Sequence, residues 1–362
     1  MEKQSLILII AISSIALSLT LGQNLNKDGG VSKKQETLRN LEGEVNVLNL
    51  YNNTDELIKE FKVINPTTVK DGLEKHIQNR LLTGFANWNR GFDTWKAWGN
   101  ILYTKESIYN VHGARLTLEH YQEDMYETLG KMKIDMGNFN NMLIVGDYCA
   151  IYYDIKIGSG SGTTMEFVQF KDYGDATNPD VRVVEGWGGV KDATYYDSIQ
   201  RQGSAEKKEQ EEQNNFLLTY TPEGPTLAEK YFVKLTSITA NEDTDNVITN
   251  MILNGFESWN TDINTYLTWV DNNFAAGATS KYGNKERTKE QYREEIKTLF
   301  QNEEITKLYF DNFLIRDNWA AIHYRFRSVD QKNTKTRVGD RMEFFKFDGE
   351  GAAKKIVGNW LK

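Results

Sequence analysis

The stretch LLTGFANWNRGFDTWKAW, residues 81–98, returns as ILNGFESWNTDINTYLTW, residues 252–269, at an offset of 171 residues. Identical pairs at that offset include Gly84 and Gly255, Phe85 and Phe256, Trp88 and Trp259, Asn89 and Asn260, Thr94 and Thr265, and Trp98 and Trp269. So many residues of uncommon types in register indicate an internal duplication, which decides the fold more than any local pattern does.

The duplication extends well beyond this stretch. The same offset relates Thr117, Glu119 and Tyr121 to Thr288, Glu290 and Tyr292, and it relates Ala150, Ile151 and Tyr153 to Ala321, Ile322 and Tyr324. After a loop that differs in length, MEFVQF from Met165 aligns with MEFFKF from Met342, and VVEGW ending at Trp187 aligns with IVGNW ending at Trp360. We therefore predict domains at 45–190 and 217–362, joined by a charged linker at 191–216.

The N-terminus has the features of an export signal. Lys3 precedes an apolar run from Leu6 to Leu21, with small residues after it, so residues 1–22 are predicted to be a signal peptide and the protein to be secreted or extracytoplasmic. An uncleaved N-terminal anchor is the alternative. Residues 23–44 are polar and are expected to be loose. We expect no further membrane span.

The bulk composition limits the function. The 362 residues favour two domains, and the net charge of -8 argues against a nucleic-acid partner. Cys149 is the one cysteine, so an intrachain disulfide is excluded. Four scattered histidines and this cysteine lack the spacing of metal ligands, so we expect neither a metal nor another cofactor.

Each copy begins with helical patterns and continues with strands. Thr68 and Asp71 resemble a capping box before an apolar ridge that predicts one long helix from Ile77 to Trp95. Gly84 and its counterpart Gly255 interrupt good helix formers, which suggests that another backbone passes close to them.

The period then changes from helical to alternating. Cys149, Ile151, Tyr153 and Ile155 form one apolar strand face, which we expect to point at the helices. Further strands follow at 165–170 and 181–187. The order predicts an α+β fold of two cone-like domains, each a curved antiparallel sheet wrapped on a long N-terminal helix and shorter helices.

On these residues each copy resembles a SnoaL-like domain of the NTF2-like superfamily. The resemblance depends on the long tryptophan-bearing first helix, its end at Trp95 and Trp98, the later helix, and the C-terminal strands that end near Trp187. It implies a sheet wrapped around a pocket that the helices close. It also implies that such domains pair through their outer sheet faces, so the two copies are expected to pair within the chain.

Two glutamates are the main candidates for chemistry. Glu166 alternates with Val168 and Phe170, and its counterpart Glu343 alternates with Phe345 and Phe347. An acid on an apolar face needs a partner or a purpose. The alternatives are that this face is the outer one, or that a tyrosine or arginine across the sheet satisfies the acid.

The other candidate residues are aromatic or imidazole side chains. Tyr153 and Tyr324 are predicted to line the pockets and to polarise a carbonyl in an enzyme, and His112 is a further catalytic candidate confined to the first copy. The predicted ligand-binding residues are Trp88, Trp98, Tyr153, Glu166, Trp187, Trp259, Trp269, Tyr324, Glu343 and Trp360.

Three functions remain open at this point. The first is a secreted, non-catalytic binding module with aromatic-lined pockets for a small apolar ligand or a partner. The second is a cyclase, isomerase or dehydratase with a pocket Glu and Tyr, and the third is a structural duplication with filled interiors. The chemistry of the candidate residues is compatible with all three.

Overall fold

The computed structural model describes residues 61–111, 114–129, 133–157, 159–174, 179–188, 243–282, 285–332, 334 and 336–361. The predicted signal peptide, the segment 23–44, the linker 191–216 and His112 lie outside the described residues. The outer limits of the two predicted domains do so as well, and they stay predictions. No helix among the described residues is long and apolar enough to cross a membrane.

The described part of the first half contains three helices and seven strands. In chain order they are β1 (Val63–Pro66), α1 (Leu73–Arg90), α2 (Phe92–Leu102), β2 (Tyr103–Val111), β3 (Ala114–Thr117), α3 (Leu118–Leu129), β4 (Ile134–Val145), β5 (Tyr148–Ile157), β6 (Gly160–Asp172) and β7 (Val181–Gly188).

The described part of the second half repeats this order from the first helix onward. Its elements are α4 (Asp243–Thr261), α5 (Ile263–Asn273), β8 (Phe274–Tyr282), β9 (Lys285–Thr288), α6 (Lys289–Asn302), β10 (Glu303–Arg316), β11 (Trp319–Asp330), β12 (Thr336–Asp348) and β13 (Lys355–Leu361), with one 3₁₀ turn at Gly351–Ala353.

The described strands form two separate sheets. Their orders are β1-β4-β5-β6-β7-β2-β3 and β10-β11-β12-β13-β8-β9. The predicted α+β class with two domains is confirmed, but the sheets are mixed where antiparallel ones were predicted. β1 with β4, β2 with β7, and β8 with β13 pair in parallel. The last strand of each domain joins the strand that follows the helix pair, and such a long crossover permits parallel pairing.

The predicted long first helix is wrong in its extent, because the chain breaks into two helices in both halves. Gly91 separates α1 from α2 with φ of 124°, a backbone conformation that favours glycine. At the equivalent break, Asp262 caps α5 by accepting the backbone N–H groups of Asn264 and Thr265 at 2.8 and 3.0 Å. The break turns the tryptophans of the second helix back onto the first.

The predicted capping box is also wrong. Helix α1 begins after Gly72, which has φ of 81° and offers no side-chain cap. The backbone N–H of Thr68 instead donates to Asp317 of the second half at 2.7 Å. The carboxylate of Glu74 instead accepts a backbone N–H ahead of the helix, that of Lys70, at 2.8 Å.

The glycines inside the helices face side chains, where a passing backbone was predicted. A Cβ atom at Gly84 would overlap the ring of Trp98, and one at Gly255 would overlap the ring of Trp269. Each ring comes from the second helix of the same domain. The glycine therefore lets the broken helix pair pack closely.

The strand faces agree with the predicted alternation. Cys149, Ile151 and Tyr153 lie in the core between the first sheet and its helices, and Ile155 packs on that core. Tyr148, Ala150 and Tyr152 point the other way, into a third core that the two sheets share. Both faces of this strand are therefore buried, one in the core of the first domain and the other in the core between the sheets.

The two sheets pack on each other through these outer faces. The shared core contains Leu143, Val145, Tyr148, Ala150, Tyr152, Met165 and Phe167 from the first domain and Leu314, Trp319, Ala321, Met342 and Phe344 from the second. A buried ion pair between Glu74 and Arg316, 2.6 Å long, joins the halves at one edge. This packing is the intramolecular pairing that the resemblance implied.

Candidate functional site

Glu166 lies on the inner face of the first sheet, between two tyrosines. Its strand β6 pairs with β5 and β7, which places Glu166 opposite Ile151 on one side and Gly188 on the other. The hydroxyl of Tyr153 donates to Oε1 and the hydroxyl of Tyr109 donates to Oε2. Both oxygens of the carboxyl group are therefore hydrogen-bonded, and by residues from two different strands.

Tyr109 reaches Glu166 because two glycines leave room for its ring. A Cβ atom at Gly186 would overlap that ring, and one at Gly188 would lie 3.1 Å from it. The ring stacks on Tyr121 of α3, with centroids 4.3 Å apart and planes 15° from parallel. The site thus combines β2, β6 and β7 with the helix that covers the sheet.

The carboxyl group lies among four tyrosines, Tyr103, Tyr109, Tyr121 and Tyr153, which we call the tyrosine cluster. All four side chains are buried. Tyr103 lies 6.5 Å from Tyr109 and 6.4 Å from Tyr121 between ring centroids. This grouping of phenol rings around one acid distinguishes the site from an ordinary aliphatic core.

Burial controls the titration of these groups. Loss of water raises the pKa of Glu166 above its ordinary value, while the hydrogen bonds from Tyr109 and Tyr153 lower it and offset part of that rise. Burial, and next the charge of Glu166, raise the pKa of Tyr103, Tyr109 and Tyr153. The tyrosines therefore stay protonated and act as donors.

Glu166 is less completely buried than the residues beside it on β6. Its neighbours Met165 and Phe167 are buried, at 1% and 0% exposure, whereas Glu166 is only partly buried. Val168, next on the same face, is buried as well. The residue as a whole therefore keeps some exposure, although its carboxyl group is desolvated enough for burial to raise its pKa.

The second domain places Glu343 at the matching position with a different set of donors. Tyr324 donates its hydroxyl to Oε1 at 2.6 Å, and the amide of Asn359 donates to Oε2 at 3.0 Å. The hydroxyl of Ser280 donates to the amide oxygen of Asn359 at 3.1 Å. Burial raises the pKa of Glu343, whereas its donors and Arg341 lower it. Like Glu166, Glu343 is partly buried.

The two sites differ by a large-to-small and a small-to-large replacement at two neighbouring positions. Register places Ser280 where the first domain has Tyr109, because both lie on the strand that pairs in parallel with the last one. Asn359 stands where the first domain has Gly186. The large ring beside a glycine in one domain thus becomes a small hydroxyl beside an amide in the other. Both arrangements supply the second hydrogen bond to the glutamate.

The predicted tryptophans of the first helix pair lie in the cores beside these sites. Trp88 and Trp98 are buried in the first domain, at 8% and 4% exposure. Trp259 and Trp269 pack on the core of the second domain but are only partly buried. The aromatic lining of the second domain is therefore the more accessible of the two.

Trp187 and Trp360 lie away from both sites, which corrects their predicted place in a pocket. Trp187 pairs with Phe167 and Trp360 with Phe344, and both phenylalanines point outward into the shared core. Residues opposite each other on neighbouring strands share a face. Both tryptophans therefore pack at the contact between the sheets.

Sequence reasoning missed Tyr109, Tyr121 and Asn359. The signal for Tyr109 was the pair of glycines on both sides of Trp187, since glycines in a strand mark a place where a large group approaches closely. Tyr103 was missed as well. His112, the remaining candidate, lies outside the described residues. Among those residues, no three His, Cys, Asp or Glu side chains come together to hold a metal ion.

Comparisons with known proteins give structural matches only. No protein-family model and no curated protein matches the sequence. The solved structures to which the chain is similar include a protein assigned as a SnoaL-like polyketide cyclase from Mesorhizobium loti, with 12% identity, a TM-score of 0.26, and coverage of 32% of this chain and 97% of that one.

Two further matches have the same extent. A ketosteroid isomerase-like protein from Erwinia carotovora atroseptica has 12% identity and a TM-score of 0.28, and the match covers 33% of this chain and 95% of that one. An NTF2-like protein of unknown function from Exiguobacterium has 13% identity and a TM-score of 0.26, with 31% and 95% covered. Each match spans about one domain of this chain.

Proposed function

We propose that this protein is a tandem binding module in which each cone holds a small, mostly apolar ligand and recognises one polar group of it through a glutamate. The observation that supports the proposal is a carboxyl group held by two donors on the inner face of each sheet, in a residue that is only partly buried. An aromatic interior with one or two placed polar groups is typical of small-molecule sites.

Burial of an acid at each of these positions has an energetic cost. Transfer of a carboxyl group out of water costs several kcal/mol, and two hydrogen bonds recover only part of that cost. An apolar side chain of similar size would fill the same volume without the cost. Because a carboxyl group has about four acceptor positions and the donors occupy two, Glu166 and Glu343 each keep acceptor capacity for a ligand.

The two domains support the proposal through their differences. Tyr109 and Asn359 are unlike in size and chemistry, but each completes the pair of donors to its glutamate. A filled interior would need no such replacement. The acid, and not any one packing arrangement, is what the two copies share.

The test is binding of 2-naphthol, a flat apolar probe with a single hydroxyl group. Quenching of tryptophan fluorescence measures it, since Trp88 and Trp98 lie in the core beside the site. We expect the wild type to bind and the double variant Glu166→Gln, Glu343→Gln to bind at least about tenfold more weakly. The control is Glu106→Gln with Glu286→Gln, which changes two exposed acids on β2 and β9.

Equal binding by the double variant and the control would remove the glutamates from the proposal. Absence of binding to the wild type would favour the structural duplication with filled interiors instead.

A second candidate is an enzyme of the cyclase, isomerase or dehydratase type, favoured by the raised pKa of Glu166 and Glu343. A carboxyl group with a raised pKa is a stronger base once ionised, and a tyrosine hydroxyl could polarise a carbonyl next to it. Deuterium exchange from solvent into the α-carbon of 2-tetralone tests this directly. Exchange above the rate in buffer, lost in Glu166→Gln, would establish proton transfer.

Export is part of the proposal. Mass spectrometry of the protein recovered from the culture medium of its source checks it, with a mature chain that begins close to residue 23 as the expected result. A chain that retains residues 1–22 in the membrane fraction supports the anchored alternative.

A further inference from the structure

The two glutamates differ in their nearest charged neighbour. Two residues before Glu343, and on the same face of β12, stands Arg341, which pairs across the sheet with Tyr324. Two residues before Glu166 stands Thr164, which pairs with the equivalent Tyr153. The strands are otherwise in matching register, so the second site contains a cation where the first contains a neutral hydroxyl group.

Arg341 acts on Glu343 in the second domain. Its positive charge lowers the pKa of that glutamate, which means that it favours the ionised form. The guanidinium group lies 5.0 Å from the centre of the Phe326 ring and donates to the backbone oxygen of Asp340 at 3.0 Å. These contacts hold the cation at the inner side of the sheet.

Glu166 has no such compensation in the described part of the chain. The two groups that favour its ionised form are the neutral hydroxyls of Tyr109 and Tyr153. No described lysine, arginine or histidine forms an ion pair with it. When Glu166 is ionised, no described cation balances its charge, in a site with little water where charges interact strongly.

Phenol rings lie around the same place, with the hydroxyl groups of Tyr109 and Tyr153 turned to Glu166. The faces of aromatic rings carry partial negative charge and attract ammonium groups. Four tyrosines of the tyrosine cluster surround Glu166 within one buried group. An acid and several phenol rings together form a site with negative potential and no internal cation.

We infer that the first cone takes a ligand with a protonated amine attached to an apolar body, and that the ammonium group pairs with Glu166 inside the tyrosine cluster. This inference rests on the proposed function and names the ligand class of the first site. The second site, in which Arg341 supplies the charge, does not share this preference.

The experiment compares two probes of the same shape, phenethylammonium and 2-phenylethanol, by isothermal titration calorimetry at neutral pH. We expect the full-length wild type to bind the ammonium probe at least about tenfold more tightly than the alcohol. Glu166→Gln should lose that preference, and Glu343→Gln should keep it. Thr164→Arg, which copies the residue of the second domain, should lose the preference while it keeps the carboxyl group.

Circular dichroism and thermal melting verify that each variant is folded, and Thr164→Arg and Glu166→Gln provide two independent routes to the same loss. Equal binding of both probes, or tighter binding of the alcohol, overturns the inference but leaves the proposed function standing, because a protonated Glu166 would then serve a neutral ligand. Failure of both probes to bind overturns the inference and counts against the proposed function of the first domain.

Discussion

Tyr152 of the first domain packs on Phe344 of the second, with ring centroids 6.1 Å apart. The reciprocal contact is between Phe167 and His323, at 5.9 Å. Tyr152 and His323 occupy the same position in the duplicated sequence, and so do Phe167 and Phe344. The halves therefore meet like the subunits of a twofold symmetric dimer, in which each contact occurs twice. One of the two contacts contains a histidine, the side chain whose ordinary pKa lies closest to neutral pH.

His323 should make stability depend on pH. Burial lowers the pKa of His323. The hydrogen bond to Asp340 at 3.2 Å and the charge of Asp311 raise this pKa by more, so the net shift is upward. A raised pKa in the folded state means that protonation stabilises the fold. The contribution is complete below the unfolded pKa of about 6.5 and is lost as pH rises through the folded value.

Urea unfolding between about pH 5 and pH 9 measures this effect against His323→Phe. Glu166 and Glu343 titrate in both proteins, so the difference between the two curves isolates His323. The prediction fails if the two proteins lose stability in parallel as the pH rises.

Loss of the buried ion pair at the domain contact should be costly. Glu74 accepts Arg316 at 2.6 Å and the N–H of Gly146 at 3.0 Å, and its side chain is only 7% exposed. Glu74→Ala leaves a guanidinium group without its partner, and we expect a loss of about 3–5 kcal/mol in the free energy of unfolding. Chemical denaturation measures it.

The matched control for that substitution is Lys75→Ala, because Lys75 is the next residue on the same helix and is exposed. It should change stability by less than about 0.5 kcal/mol. A loss of similar size in both variants would mean that the helix, and not the ion pair, is responsible.

Gly84→Ala should destabilise the first domain, because the new methyl group would overlap the ring of Trp98. Overpacking of this kind costs about 1–3 kcal/mol, which outweighs the better helix propensity of alanine. Thermal unfolding measures the loss. Gly277→Ala, at a position with nothing within 4 Å, is the control.

Restoration of space should reverse the effect of Gly84→Ala. The double variant Gly84→Ala, Trp98→Leu should lose less stability than the sum of the losses in the two single variants. Additive losses would show that Trp98 is not the obstacle.

Tyr153→Phe should raise the pKa of Glu166, because the hydroxyl of Tyr153 stabilises the ionised carboxyl group. NMR titration of the side-chain carboxyl carbon measures the change. Tyr324→Phe, the same substitution in the second domain, should raise the pKa of Glu343 and leave that of Glu166 unchanged. A shift of Glu166 in both variants, or in neither, would contradict the assignment of donors.

Part of the site followed from the sequence. Alternation along β6 placed Glu166 on the same apolar face as Val168 and Phe170, and alternation along β5 placed Tyr153 on the face expected to point at the helices, because a strand has a strict period of two. Trp187 and Trp360 were predicted to bind ligand, but they face the contact between the sheets. Their face depends on register with Phe167 and Phe344, and cross-strand register was not available from either segment alone.

The sequence by itself determined that the chain is a duplication, that each copy is α+β, and which face of the central strand is inward. These features are local or periodic, and they repeat at a fixed interval. Only the tertiary structure decided that Tyr109 and Asn359 complete the two sites, that Gly91 and Asp262 break the helices, and that Glu74 joins the halves. Those contacts link residues that are distant along the chain, and their partners are fixed by packing geometry, which no periodicity encodes.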